Sequence, residues 1–402
     1  MVDNGHSLTW NDSEAMTQLL RPSDPAQLAE LVAQAGRTRI PVWTQSGDSK
    51  WDWGCRQRLT SAPDPTRISL SALTGIISYE PGELILVVGA ATPLSQIQQL
   101  LADEGQHLAF EPVLWRETAT AGGAVATGLA GPRRFRAGGV RDFVLGLQFV
   151  DGRGRLVRSG GRVVKNVSGY DLWRGLTGSF GGLGLLTEIC FKLWPRPQTE
   201  RTLRITTPTR VGARQLMLDL AQSQQEITGL AYTPDQHVLV RLEGSHRALD
   251  SQVDAVAGQV AAGQGGASQV EADLTGDEST HLWSNLREVK SLRGASGPLW
   301  RFVIPATHWV DLLNDLCAAG VERYQIDWGG GLVWALAPPD GDLNGHDLAH
   351  RQQGIAWRVA STPSDLNPAA MPPLSPGLDR LNRRLRSACD PHEILNPGRS
   401  GL

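Results

Sequence analysis

The amino-acid sequence predicts an α+β protein of two domains, and three observations carry the prediction. The chain has 402 residues, more than one ordinary hydrophobic core organises. Its 45 glycines exceed the usual share of about 7% and cluster in the first half. Past residue 200 or so the glycines thin out and paired strand signals alternate with helix signals, the pattern of helices laid on an antiparallel sheet.

The elements follow in order. In "SDPAQLAELVAQAGRTRIPVW" Asp24 suits a helix cap and Pro25 the first turn, while Leu28, Leu31, Val32 and Ala35 share one face. Gly36 ends that helix and a strand begins at Ile40–Trp43. The same grammar recurs at 84–110: "LILVV" is a strand, Thr92 and Pro93 open a helix, Gly105 stops it, and "HLAF" is extended. "FVLGLQFVDGRGRLV" reads as a hairpin around Asp151-Gly152, and "TEICFKLWP" as a strand running into a domain edge at "RPQT". The second half reads as helix 210–222, strands near 227–243, helix 246–260 and a loop at 261–268. Strand 299–305, helix 307–316 and strands near 322–328 and 331–337 follow, with Pro/Gly/Asp-rich surface insertions at 338–348 and 362–376.

A net charge of −3 with 20% charged residues argues against a general polyanion binder. The four cysteines, at 55, 190, 317 and 389, form no CxxC pair and read as reduced thiols, so neither a zinc site, a disulfide framework nor an iron–sulfur cluster is expected in this chain. "MVDNGHSLTWNDSEAM" lacks an export signal, and the uncharged run 84–102 contains Pro93 and three glutamines, so it is a strand and helix rather than a membrane span. A cytoplasmic chain is expected. The thirteen tryptophans suggest no function by themselves.

No GxxxxGK[ST], GxGxxG or HExxH occurs, so P-loop, Rossmann and zincin sites lose their support. "HDLAH" (346–350) puts two histidines at helical metal spacing, but in a Pro/Asp/Gly-rich loop without a third ligand, and no metal is expected. Three glycine-rich segments stand out instead. "PVWTQSGDSKWDWG" (41–54) is either a plain turn or a concavity of backbone N–H groups that suits a pyrophosphate. "TATAGGAVATGLAGP" (118–132) has no charge and four glycines, Gly122, Gly123, Gly128 and Gly131, either for tight helix packing or to admit a flat ligand against the backbone. "GRVVKNVSGYDLWRGLTGSFGGLGLLTE" (161–188) joins Lys165, Tyr170 and Asp171 to a loop with Gly178, Gly181, Gly182 and Gly184.

Taken together these segments resemble the vanillyl-alcohol oxidase/PCMH-type FAD-binding family, with its pyrophosphate loop, its "ATxGGxxATxxxG" stretch and its "KNVxGYDL…GSxGxLGxxTE" run. "DPHEILNPGR" (390–399) resembles that family's closing motif. Within the family, "SGDSKWDWG", "LWRFVIP" and "DWGGGLVW" are similar to the FAD-binding subunits of glycolate oxidases (glycolate dehydrogenases). The resemblance implies a flavin domain of two α/β subdomains over 1–200, a smaller α+β sandwich domain with an antiparallel sheet over 201–388, and a tail, 389–402, that returns to the flavin domain. It implies FAD held by Gln45, Ser46, Gly47, Asp48, Ser49 and Lys50 of the pyrophosphate loop and by Gly122, Gly123, Thr127 and Gly131 of the second motif. Gly139, Val140, Gly184, Leu185, Thr187 and Asn396 complete the implied set. The implied reaction is oxidation of glycolate or related short 2-hydroxy acids to glyoxylate or its analogues. Electrons would pass on to a second flavoprotein subunit and an iron–sulfur subunit, which would hold the chain at most peripherally at the inner membrane.

Two departures qualify these implications. Relatives that bond flavin covalently carry a histidine in the pyrophosphate loop; here 45–50 is "QSGDSK", so non-covalent FAD is expected, with Cys55 read as a structural thiol. Relatives that oxidise 2-hydroxy acids alone carry a histidine metal motif where this chain has "IDWGGGLVW" (326–334). That leaves Arg301 as the catalytic candidate for the substrate carboxylate, against a packing role, and no general base is named. Residues 131–174 hold nine Arg and one Lys against three Asp, read as a flavin-phosphate field or a partner surface rather than a nucleic-acid footprint, since no aromatic platform is interleaved. A scaffold subunit that binds FAD without chemistry, or another flavoenzyme of the same fold, remains the alternative.

Overall fold

Asp24 caps the first helix as the sequence suggests: its carboxylate accepts from the N–H of Ala26 (2.8 Å) and of Gln27 (3.0 Å), and Pro25 opens α1 (Pro25–Thr38). The computed structural model describes residues 19–50, 53, 65–161, 171–263, 268–339, 341, 343–359 and 370–399. After α1, β1 (Val42–Gln45) and β2 (Thr66–Ser69) form a small parallel sheet. Then come β3 (Ile76–Glu80), β4 (Ile85–Gly89), α2 (Leu94–Asp103), β5 (Gln106–His107), α3 (Ala121–Thr127), α4 (Arg134–Ala137) and α5 (Val140–Phe143). β6 (Val144–Val150), β7 (Leu156–Gly160), α6 (Leu172–Leu176), β8 (Leu185–Lys192) and β9 (Trp194–Pro195) complete the first half. A five-stranded antiparallel sheet runs β3-β4-β8-β6-β7. The expected hairpin is β6–β7; its turn is tied by the Asp151 carboxylate, which accepts from the N–H of Arg153 and Arg155, with Gly154 at φ +74°.

The second half contains β10 (Thr199–Thr206), α7 (Arg210–Ala221), β11 (Ile227–Tyr232), β12 (His237–Gly244), α8 (His246–Ala262), β13 (Gln269–Thr275) and α9 (Gly276–Arg287). It continues with β14 (Leu299–Val303), α10 (Trp309–Ala318), β15 (Arg323–Asp327), β16 (Leu332–Leu336), α11 (Gly345–Arg351), β17 (Ile355–Val359) and α12 (Pro376–Cys389). The eight strands form one sheet, β13-β10-β12-β11-β15-β16-β14-β17, antiparallel at every pairing. Period-two alternation decides what each face does. Trp300 and Phe302 of β14 join the core under α7, α8, α10 and α11, whereas Leu299 joins Leu332, Trp334 and Leu336 against Trp53, Val113 and Leu129 of the first half. One face is thus covered by α7, α8, α10 and α11, and the other by α9 and the glycine-rich half.

Several sequence expectations need correction. α8 runs through Ala262, into the span read as a loop, and β13 and α9 were not anticipated. The insertion expected at 338–348 contains the start of α11, because Leu348 and Ala349 are buried and Gly345 lies so close to the Trp300 indole that a Cβ would overlap it. Burial there outweighs a loop-like composition. At the end of the chain Leu395 bridges to Val42, the Asn396 N–H donates to Val42 O (2.9 Å), and Ile394 and Leu395 enter the core of α1 and β1.

Candidate functional site

Beyond β1 the chain turns through Ser46–Lys50 with Asp48 at φ +50°. Thr118 Oγ1 donates to Gly47 O, and a Cβ on Gly47 would overlap the Thr118 carbonyl, so glycine at 47 is what lets the first two glycine-rich segments meet. Burial raises the Asp48 carboxyl above its ordinary pKa, against the lowering influence of the neighbouring Ser46 backbone and of Arg399, Arg116 and Arg67. Among the described residues, no hydrogen bond is donated by the backbone N–H of Gly47, Asp48, Ser49 or Lys50. Ser49 and Lys50 are buried. Burial holds the Lys50 ammonium down to a pKa of about 8 despite the attraction of Glu288, and among the described residues its Nζ has only distant acceptors, Ser49 Oγ (3.3 Å) and Leu114 O (3.5 Å).

The glycines of 118–132 divide by role, which the sequence expectation did not. A Cβ on Gly122 would lie 2.8 Å from Ala90 O, and one on Gly131 would lie 2.7 Å from Glu111 Cβ; both serve packing. Gly128, at φ +65°, ends α3. Only at Gly123 is the space open, with the capping Thr120 Oγ1 as the one neighbour, at 3.2 Å. The start of α3 also has few donors left to offer. Ala121 N–H goes to Thr92 O, Gly122 N–H to Ala90 O, Gly123 N–H to Thr120 Oγ1 and Ala124 N–H to Thr120 O. Donors for an anion are therefore those of the 47–50 loop.

Loop and helix enclose a cleft with about 830 Å³ of empty space. It brings together Gln45, Ser46, Gly47, Asp48, Ser49, Lys50, Gly122, Gly123, Thr127, Gly184, Leu185 and Asn396 from the expected set. Sequence reasoning missed Thr44, Leu70, Phe180 and Arg399, which line it too. Asn396 is a clasp in its wall: Oδ1 accepts from Thr44 N–H (2.9 Å) while Nδ2 donates to Gly181 O (3.2 Å). Four expected residues lie elsewhere. Thr187 is buried on the Gln148 side chain (3.0 Å), Gly131 is packed as above, and Gly139 and Val140 line a neighbouring cleft.

That second cleft has about 2000 Å³ of empty space and meets the first at Thr127 and Phe180, which line both. Its far wall comes from β14 and from the hairpin turn Trp328–Gly330, whose residues stand at φ +53°, +66° and +102°. A Cβ on Gly330 would lie 2.5 Å from the Trp309 ring, so "WGGG" marks a tight hairpin end. Trp328 Nε1 donates to Gly131 O (3.0 Å), fixing the indole across the seam, and its N–H donates to Asp327 Oδ1 (2.7 Å). Burial raises Asp327 to a pKa of about 7 against that bond. Arg301 is 7% exposed, with its guanidinium carbon 5.2, 5.8 and 5.0 Å from the rings of Trp328, Trp334 and Trp357. It has no hydrogen bond or ion pair among the described residues, and burial, then repulsion from Arg134, lowers its pKa to about 9. Met371–Ser375, read from sequence as surface insertion, line this cleft.

Within the basic segment 131–174, Arg133 pairs with Glu111 and Glu243, while the exposed Arg155 and Arg174 pair with Asp151 and Asp171 and Arg153 donates to Ala388 O. His346 and His350 stand on α11 rather than in a loop, and among the described residues no group of three His, Cys, Asp or Glu is arranged to hold a metal. Cys190, Cys317 and Cys389 form no disulfide with one another; Cys55, Lys165 and Tyr170 lie outside the described residues. No helix among those described is long and apolar enough to cross a membrane.

Comparison with known proteins gives the geometry a context. Residues 16–160 match the model of an FAD-binding domain family. The chain is similar to the glycolate oxidase subunit GlcE of Escherichia coli, 35% identical over 95% of this chain and 99% of the relative. It is 30% identical to D-lactate dehydrogenase of Archaeoglobus fulgidus over 51% of this chain and 44% of that protein. Its fold is similar to the crystal structure of p-cresol methylhydroxylase with substrate bound, at a TM-score of 0.69 and 16% identity, covering 95% of this chain and 88% of the other.

Proposed function

Because the chain belongs to the family of the glycolate oxidase subunit GlcE, we propose that it binds FAD non-covalently in the first cleft and works as the FAD-binding subunit of a glycolate oxidase. One observation supports this reading above the others: Gly47–Lys50, whose four N–H groups bond nothing among the described residues, line the same cleft as the open position at Gly123. A diphosphate needs such a concavity of donors, and a flat ring needs a backbone without Cβ. Lys50 adds a cation, and Asn396 ties the wall from the tail. The joined second cleft leaves room for an extended cofactor and its substrate. On this reading 1–200 is the flavin domain, 201–388 the substrate domain and 389–402 its returning tail.

FAD, when bound, supplies the hydride acceptor for oxidation of a short 2-hydroxy acid to the 2-oxo acid. The chain's own part is positioning. Arg301 offers a charged fork to the substrate carboxylate, held by three indoles that keep water away and so strengthen the pairing. Asp142, which lines the same cleft, is already spent on the Gly139 N–H (2.8 Å). We further propose that electrons leave through a second flavoprotein subunit and an iron–sulfur subunit, with the assembly in the cytoplasm or held at the inner membrane by those partners.

Acid precipitation tests the cofactor: the yellow colour should appear in the supernatant, and flavin in the pellet would contradict non-covalent binding. Dye-linked glycolate oxidation should appear when the chain is co-expressed with its partner subunits and be nearly silent for the FAD-loaded chain alone. Equal turnover by the lone chain would sink the dependence on partners.

A further inference from the structure

We propose that Arg134 is a second carboxylate-binding residue, so that the substrate's acid group is gripped from both halves of the molecule, by Arg134 of α4 and Arg301 of β14, against the indole of Trp328. The proposal rests on the reading of Arg301 as the substrate-carboxylate residue. Both guanidiniums line the second cleft, and both lie over one ring, with the Arg134 carbon 4.5 Å and the Arg301 carbon 5.2 Å from the Trp328 centroid. Neither has an ion pair or a side-chain hydrogen bond among the described residues. The carboxylate that acts on Arg134, Asp142, is held by the Gly139 N–H.

Arg134 is exposed at the cleft mouth, and a merely solvated arginine would need no prepared seat. This one has a prepared seat: the Trp328 indole beneath it is fixed by its bond to Gly131 O. The resemblance assigned Gly139 to the cofactor; in the structure it lines this second cleft together with Arg134. Two like charges on one ring repel, as the lowered pKa of Arg301 reflects, and an anion shared between them relieves that repulsion while each adds charge-assisted bonds. Because the two residues come from different halves, the grip exists only while the halves are packed together.

The test uses the full chain loaded with FAD and titrated calorimetrically with oxalate, a two-carbon carboxylate that cannot be oxidised by hydride loss, and with glycolamide as the neutral control. Arg134→Gln should weaken oxalate about 10–100-fold, in line with loss of a charge-assisted pair, and leave glycolamide and FAD affinity unchanged. Arg301→Gln should do the same, and Arg134→Lys should recover part of the loss. Wild-type oxalate affinity in Arg134→Gln with a loss in Arg301→Gln would overturn the proposal and leave the Arg301 reading intact. No loss in either would remove both. Loss of FAD together with oxalate would also overturn it. Should the glutamine variant not fold, Arg134→Lys carries the same test: wild-type affinity there would refute bidentate pairing by Arg134.

Discussion

Arg241 and Arg301 stand on the same eight-stranded sheet, both deeply buried at 1% and 7% exposure and both against tryptophan, Arg241 with its guanidinium carbon 4.6 Å from the Trp283 ring. They differ in neutralisation. Arg241 donates to both oxygens of Glu111, at 2.9 and 3.0 Å, and Glu111 also accepts from Arg133 Nη1 (2.7 Å) and Arg133 N (2.6 Å). Arg133 in turn pairs with Glu243, so carboxylates and guanidiniums from both halves close one network. Arg301 has the same burial and no carboxylate. Desolvating an ion costs several kcal/mol even after relaxation; at Arg241 the partner charges offset that cost, and at Arg301 the described chain offers the faces of three indoles but no opposite charge. A compensated buried charge reads as structure, an uncompensated one as a site awaiting its counter-ion.

Breaking the compensated side should give the largest effect. Glu111→Gln removes the carboxylate that Arg241 and Arg133 share, leaves Glu243 as the buried counter-charge for both, and should lower stability by about 3–5 kcal/mol, read as the urea midpoint at pH 7. The wild-type network has a matching pH signature. Arg133 and Arg241 hold the Glu111 carboxyl down to a pKa of about 2, although burial alone would raise it. A depressed carboxylate contributes its full stability above the unfolded value of 4.5, and that contribution is lost as pH falls through about 2. A Glu111→Gln chain as stable as wild type would show that the network is ornamental and the contrast with Arg301 empty.

The uncompensated side should respond with the opposite sign. Arg301→Met removes a charge that nothing neutralises and keeps a flexible apolar side chain among the three indoles, so stability should hold or rise, by about 1–4 kcal/mol where a buried ionic group is replaced by a packed apolar one. Urea unfolding beside oxalate titration separates the two roles. A destabilisation as large as that of Glu111→Gln would mean that Arg301 is a packing residue after all.

These two arginines also mark what the sequence could and could not reveal. The loop 45–50, Gly123 and the tail Asn396 were legible because backbone access restricts residue choice locally, and it is that local restriction that motifs record. Arg133 and Arg134 are neighbours in one basic run, yet one closes the seam network and the other lies over Trp328, a division set by partners at 111, 243 and 328. Nothing local encodes it. Gly122 and Gly131 likewise look like ligand glycines in "ATAGGAVATGLAG", while their constraint comes from Ala90 and Glu111. α11 was missed because the burial of Leu348 and Ala349 under the sheet is a tertiary fact.

A third buried cation, Lys50, lies between the two extremes. It is 6% exposed, attracted by Glu288 but not bonded to it, and burial brings its pKa down to about 8 from 10.5. Glu288 is otherwise engaged, accepting from Leu114 N–H (3.2 Å) and Trp115 N–H (2.6 Å), so its compensation of Lys50 is partial. Two pH dependences of opposite sign follow. In the FAD-free chain the folded state disfavours the charged lysine, so stability should rise as pH rises from about 8 towards the unfolded value of 10.5. If the ammonium holds the cofactor diphosphate, FAD affinity should fall over the same range, by up to about tenfold per pH unit, because binding must then re-protonate the amine. Fluorescence titration of FAD between pH 7 and 10, beside urea unfolding of the FAD-free chain, measures both. Lys50→Met should bind FAD more weakly with a flat pH profile. A wild-type affinity that is equally flat would place Lys50 with the compensated charges, as part of the seam and not of the cofactor site.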